Sequence, residues 1–586
     1  MQTTANMESE EALREGLRGH LSFLYPEEQA DVLCEKVLEV FSEYQTPASA
    51  HAAEPWTESD CLLITYGNSV IEATRPGLQT LWRFLRDHIG NLFSGVHVLP
   101  FNPYSSDDGF AVIDYEKVNP RLGGWPNLIQ VASEYRLMAD LVINHVSGEH
   151  AWFRNYCAGL APGDGYFIEM DPSADLSEVI RPRTTPLLRP TETRAGLKHV
   201  WCTFSHDQVD VNFANPKVLL EYLKIIRLYL DRGISIFRLD AVGFLWKEPG
   251  TTCIHLPQTH EVIRLIRRLT DFFAPGTLLI TETNVPNLEN LSYFGNRNEA
   301  HIVYNFSLAP LLVHALLTGE TSFLKRWMMS MPPAPVGCTY LNFTASHDGI
   351  GMRPAEGLLS DEEQRQMVEV VRQCGGRFST RRSNDGGEKI YELNVSLFDV
   401  MKQTIHGVDE WQVERFLCSQ TVMMAIEGIP AFYIHSLVAT PNDYPGLEQT
   451  GQNRSINRRK LDITELEQHL SDSESNQSRV FAELKRRLSI RCRQPAFHPN
   501  ATQFTLQLAP CYFAFWRQSM DRTQSIFAVH NLTGSAQELR LTELNLISLD
   551  AWHDLLSGIE LNDHNATLTV RPYQCLWITN RPTDIT

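Results

Sequence analysis

The chain has 586 residues, of which 43% are apolar and 21% charged, and its net charge is −19. An acidic surplus of that size excludes a nucleic-acid partner, which would need Lys and Arg to displace phosphate counterions, and no apolar run is long enough to cross a bilayer. The eleven cysteines are scattered singly, without CxxC pairs or metal-ligand spacing. The opening MQTTANMESEEALREG lacks the basic start and apolar core of a secretion signal. Reduced thiols, a cytoplasmic location and no zinc site are therefore expected.

Taken in order, residues Ser9 to Tyr44 are helical in pattern. In DVLCEKVLEVF the apolar positions Val32, Leu33, Val37, Leu38, Val40 and Phe41 recur at helical spacing. TPASAHAAEP then reads as a linker, so residues 1–55 are expected to form a helical N-terminal extension that acts as a packing brace. Strand-like runs come next at CLLITYG, GVHVLP, YRLMADLVI, ISIFRLDAV, TLLITETN, HIVYNF, TYLNFTASHD and IPAFYI. Helical segments such as LLEYLKIIRLYLDRG and THEVIRLIRRLTDFF lie between most of them. Strand and helix alternating through eight strands predict a closed parallel (β/α)8 barrel, the TIM-barrel architecture, over residues 56–498. The wholly apolar strands fit burial on both faces.

One connection, about residues 147–209, is too long for a plain barrel loop and is rich in Pro, Arg and aromatics, as in IRPRTTPLLRP. An excursion of that length predicts an inserted subdomain covering the substrate. From about residue 499 to 586 the pattern changes to short alternating runs such as FTLQL, CYFAFWRQ and SIFAVHN. These predict a C-terminal all-β domain of the sandwich kind.

Three acids, Asp240, Glu282 and Asp348, stand at the ends of separate strand-like runs, where a barrel of this kind gathers its active site on one rim. Arg238, two residues before Asp240, shares its face of the strand because the side-chain period is two. It can hold Asp240 ionised, as a carboxylate nucleophile requires. Glu282, in LLITETN, is a candidate general acid. Asp348 follows His347 in ASHDG, and DLVINH ends the third strand with Asp140, Asn144 and His145.

These four blocks, DLVINH, FRLDAVGF, TETN and ASHDG, resemble in content and order the signature regions of the α-amylase family of retaining glycoside hydrolases and transglycosidases. The resemblance covers roughly residues 60 to 580. It implies Asp240 as nucleophile, Glu282 as acid/base and Asp348 as transition-state stabiliser, with His145, Arg238 and His347 contacting the donor sugar. PYSSDDGFAVIDY, IRPR, TFSHDQVDVNF, AVGFLWKEPGTTCIHLPQTH and SHDGIGMRPAEGLL look like the sucrose-phosphorylase branch, which acts on a single α-glucosyl unit. On that likeness Asp108 and Arg454 would grip the glucose, and Phe110 would stack on it. Phe204 and Gln208 would border the acceptor side.

The excursion supplies Arg181, Arg183, Arg189 and Arg194. Of these, Arg181 and Arg183 are expected to meet phosphate or the acceptor. The helical extension, the SHDGIG loop and the RPR…PLL element look most like the members of the branch that act on glucosylglycerate. Phosphorolysis of glucosylglycerol, sucrose or sucrose 6′-phosphate, and retaining hydrolysis or transglucosylation, stay open as alternatives. Asn284 departs from the sucrose enzymes, which carry a histidine there. The resemblance implies a small α-glucoside and inorganic phosphate as the ligands, with no bound cofactor or metal.

Overall fold

The computed structural model describes residues 9–45, 55–382, 388–544, 546–547 and 551–581. Eight parallel strands close into a barrel: β1 (Leu62–Thr65), β2 (Gly95–Val98), β3 (Arg136–Val142), β4 (Ile234–Asp240), β5 (Leu278–Thr281), β6 (Ile302–Tyr304), β7 (Thr339–Asn342) and β8 (Ile429–Tyr433). Each pairs with its sequence neighbours. Leu62 lies opposite both Gly95 on β2 and Ala431 on β8, so the ring shuts between the first and last strands. The strands are the eight apolar runs of the sequence, and nearly every residue in them is buried.

The surrounding helices start and stop where local chemistry directs. Helix Pro216–Asp231 opens on Pro216, behind an Asn215 side chain that caps the Lys217 amide, and the chain turns away at Gly233 with φ +86°. Helix Leu308–Thr318 is apolar all round, and its residues 308–317 are all buried, as expected of a helix enclosed on every side.

The N-terminal piece is two helices, Glu10–Leu24 and Glu27–Phe41, broken at Pro26, which cannot continue the helix before it. Leu13, Leu17, Leu21 and Leu24 form the buried stripe of the first. This helix lies against helix Pro257–Phe273. Gly16 permits the close approach, since a Cβ there would fall 1.9 Å from the Arg268 guanidinium carbon. Arg268 in turn donates to the Ala12 carbonyl at 3.1 Å. The TPASAHAAEP segment, apart from Pro55, lies outside the described residues.

The excursion after β3 is closed at its neck by an antiparallel pair, His145–Ser147 with Gln208–Asp210. It contains helix Ala151–Ala158 and a hairpin, Leu188–Thr193 with Gly196–Trp201. The sequence pattern predicts this one long connection, and the structure adds a second after β7. The second carries helix Asp361–Gln373 and a three-stranded sheet of Ile350–Gly351, Glu388–Asn394 and Arg377–Arg382. The C-terminal region is a six-stranded sheet with a two-stranded ribbon beside it. Strand alternation gives the sheet two working faces. Phe513, Phe515, Ile526, Ala528 and Trp577 join the main core, while Tyr512, Ala514, Phe527, Val529 and Ile578 build a smaller one.

Candidate active site

Asp240 is the last residue of β4 and Glu282 the first after β5, while Asp348 lies on the loop beyond β7. All three line one cavity at this rim. The parallel register sets Arg238 opposite Asp140 of β3, and it joins a buried chain of contacts. His97 Nε2 lies 2.7 Å from Asp140 Oδ2, and Arg238 Nη1 bonds Asp140 at 2.5 Å and Asp240 at 2.7 Å. Removing either acid would leave a buried guanidinium half-satisfied. The arrangement fixes Asp240 from behind and leaves its other oxygen toward the cavity.

The electrostatics separate the three acids. Burial pushes the Asp240 and Glu282 carboxyls above their ordinary range, and Arg238 opposes the rise in both. Arg238 reaches Asp240 at 2.7 Å but Glu282 only at 3.9 Å, and the remaining support for Glu282 is the Ala241 amide at 3.2 Å. A charge-assisted bond at the shorter distance favours the ionised form far more strongly. The guanidinium therefore opposes protonation more strongly at Asp240 than at Glu282. Asp348 behaves oppositely. Burial alone would raise it, but Arg454, His347, Arg458 and Arg238 hold it well below the usual carboxylate range. The closest of these, Arg454, bonds it at 2.7 Å.

Two rings and two histidines shape part of the wall. The Phe110 and His347 rings stack at 5.0 Å with 6° between their planes. Burial pushes the His145 and His347 imidazoles below their ordinary range. His145 Nε2 stands 2.9 Å from the Phe110 carbonyl and 3.2 Å from the Gln208 amide nitrogen. Arg454 lies between Asp348, Glu392 (2.7 Å) and Asp107 (3.7 Å).

Of the residues singled out in the sequence, Phe110, His145, Arg183, Phe204, Gln208, Arg238, Asp240, Glu282, His347, Asp348 and Arg454 line this cavity. Two do not. Asp108 turns outward to Arg458, at 2.6 Å, and its neighbour Asp107 takes the lining position. Asp107, Asp108 and Gly109 all have positive φ, at 52°, 48° and 118°. Through such a turn consecutive side chains swing to different sides. Arg181 is also absent from the lining, which the excursion reaches instead through Pro182 and Arg183. Arg189 donates to the His206 carbonyl at 2.7 Å inside the excursion.

The cavity also holds residues that the sequence pattern does not single out for the site. These are Phe244 and His255 from the β4 loop, and Arg353, Tyr391 and Glu392 from the second excursion. Arg183 lies over the Tyr391 ring at 5.1 Å. Among the described residues no group of three or more His, Cys, Asp or Glu is arranged to hold a metal ion, and no helix is long and apolar enough to cross a membrane. The arrangement can carry a nucleophilic displacement at one carboxylate with proton transfer by another, beside cationic side chains.

Comparison with known proteins gives the family and the fold. A family model described as "Alpha amylase, catalytic domain" matches residues 89–331. The chain is 40% identical to a glucosylglycerate phosphorylase of Allomeiothermus silvanus over 97% of this chain and 98% of that protein. It is 41% identical to one of Spirochaeta thermophila over 90% of each. The crystal structure of sucrose 6F-phosphate phosphorylase from Thermoanaerobacter thermosaccharolyticum shares the fold, with a TM-score of 0.70 at 22% identity over 83% of this chain and 96% of that one.

Proposed function

The chain belongs to the α-amylase family, and we propose that it is a retaining glucoside phosphorylase whose substrates are 2-O-α-D-glucosylglycerate and inorganic phosphate. Its products are α-D-glucose 1-phosphate and glycerate, and the reaction is reversible. The near full-length likeness to glucosylglycerate phosphorylases carries this reading, and the cavity is consistent with it. Two displacements conserve the α configuration.

In the first, an Asp240 oxygen attacks the anomeric carbon as its bond to the glycerate oxygen breaks. Glu282 passes its proton to that oxygen, and glycerate leaves. The glucosyl unit remains as a β-ester of Asp240. Arg238 supports the nucleophile by keeping it ionised until the bond forms. In the second step a phosphate oxygen attacks the same carbon, its proton goes to Glu282, and the ester bond to Asp240 breaks.

Asp348, held ionised, grips the ring hydroxyls and strengthens as positive charge builds on the ring. Asp107 and Arg454 hold the far side of the glucose, with Phe110 and His347 against its face. Phe204 and Gln208 border the acceptor. Arg183 offers phosphate a guanidinium that no carboxylate occupies among the described residues, and Arg lends itself to two-point contact with an oxyanion. The test is incubation with phosphate and a panel of α-glucosides, reading glucose 1-phosphate. Glucosylglycerate should be the preferred donor. Release of free glucose without glucose 1-phosphate from every donor would overturn the reading.

A further inference from the structure

Arg353 lines the cavity and has no ion pair among the described residues. The four arginines of the lining divide cleanly. Arg238 and Arg454 are bonded to acids at 2.5–2.7 Å. Arg183 and Arg353 have no ion pair among the described residues. The Arg353 Nε is buried with no acceptor at all. A buried N–H without an acceptor is costly, and an oxyanion in the site would supply that acceptor. Two unpaired cations therefore face a pocket that receives two anions in turn, phosphate and a carboxylate-bearing acceptor.

The two cations are placed differently. Arg183 arrives from the first excursion onto Tyr391, whose hydroxyl feels both Arg183 and Glu282. Arg353 comes from the loop beyond β7 and acts on His255, on the β4 side. Two residues before it, Gly351 packs so closely on Asn284 that a Cβ would fall 2.8 Å from the amide nitrogen. Asn284 presents a buried Oδ1 with no donor.

The ligands differ in the same way. Phosphate carries its charge on the atom next to the reacting oxygen. Glycerate carries its carboxylate one bond further out, with a hydroxyl on the opposite branch. We propose that Arg353 selects the acceptor by binding its carboxylate, while Arg183 serves phosphate. This rests on the phosphorylase reading above. A site built around a charge discriminates strongly against an analogue lacking it, because the guanidinium is then left unpaired.

The experiment crosses Arg353→Gln and Arg183→Gln with three assays: phosphorolysis of glucosylglycerate, phosphorolysis of the uncharged glucosylglycerol, and arsenolysis of glucose 1-phosphate. For Arg353→Gln, KM for glucosylglycerate should rise at least tenfold, and the preference for it over glucosylglycerol should fall by a similar factor. The loss on arsenolysis should be several-fold smaller. Arg183→Gln should show the reverse order, and Arg353→Lys should recover part of the preference, marking charge rather than folding as the cause. An equal loss on all three assays, or none on any, overturns the assignment. Should the unaltered enzyme make no glucose 1-phosphate from glucosylglycerate, the phosphorylase reading itself fails, a result distinct from any pattern among the variants.

Discussion

At the scale of single residues, the separation of Asp240 from Glu282 makes a pH prediction. Glu282 is held above the ordinary value of 4.5 by burial, so it keeps its proton where an exposed glutamate has lost it. The rate of glucosyl transfer should therefore fall on the alkaline side as Glu282 deprotonates, and on the acid side as Asp240 takes up a proton. Glu282→Gln should abolish the alkaline limb of kcat/KM and lower kcat by about 10²–10⁴-fold on glucosylglycerate. A donor such as α-glucosyl fluoride, whose leaving group needs no proton, should lose far less; equal losses on the two donors would remove Glu282 from the acid role. The neighbouring aspartates give a second contrast. Asp107→Asn should cost about 10–100-fold in kcat/KM, the worth of a charged hydrogen bond to the sugar, and Asp108→Asn several-fold less, read by steady-state kinetics on both. The need for an acid before Gly109 was legible in the sequence, but which of two adjacent acids faces inward was not. That depends on three consecutive positive φ values, two of them at non-glycine residues, which residue identity does not specify.

At the scale of elements, the eight strands were legible because each is a short apolar run ending in punctuation, and burial on both faces leaves little else for such a run to do. The second excursion was not, because its strands are polar on one side and its helix is largely surface. It contributes Arg353, Tyr391 and Glu392 only through folding that brings residues far along the chain to the rim. The first excursion is anchored at its neck by Asp210, which pairs with the fully buried Lys247 at 2.7 Å. Asp210 also accepts from the Thr203 amide at 2.8 Å, the Thr203 hydroxyl at 2.6 Å and Asn144 at 3.1 Å. Gln208 lies on this neck and Phe204 just before it, so its rigidity is also the rigidity of this side of the cavity. Lys247→Met would strand the Asp210 charge and should cost about 3–5 kcal/mol of stability, measured by urea unfolding. Adding Asp210→Asn should recover part of that loss. If Lys247→Met leaves the unfolding midpoint unchanged, the pair is not what holds the excursion to the barrel.

At the scale of the whole molecule, the barrel and the C-terminal sheet share a wall. Helix Gln412–Ala425, which leads directly into β8, has Val413 and Arg415 through Ala425 buried. It lies between the barrel and the sheet strands Ser525–Asn531 and Cys575–Thr579. Cys418 and Cys575 bring their sulfur atoms to 3.6 Å across that boundary. Arg517 of the sheet is fully buried and donates to the Ala425 carbonyl at 2.8 Å and the His498 carbonyl at 2.7 Å. Since β8 closes the ring between β7 and β1, anything that loosens this helix loosens the closure on which the rim depends. Trp577, with no exposed surface, sits on the sheet face that joins the main core and meets the Phe497 ring edge-on at 4.9 Å. Trp577→Ala should therefore cost about 3–5 kcal/mol although it is not among the residues lining the cavity. Because the lost packing is shared, unfolding followed by tryptophan fluorescence and by loss of activity should stay superimposed and shift together. Two separated transitions, with activity outlasting the fluorescence change, would show that the sheet is an independent unit and that the barrel closes without it.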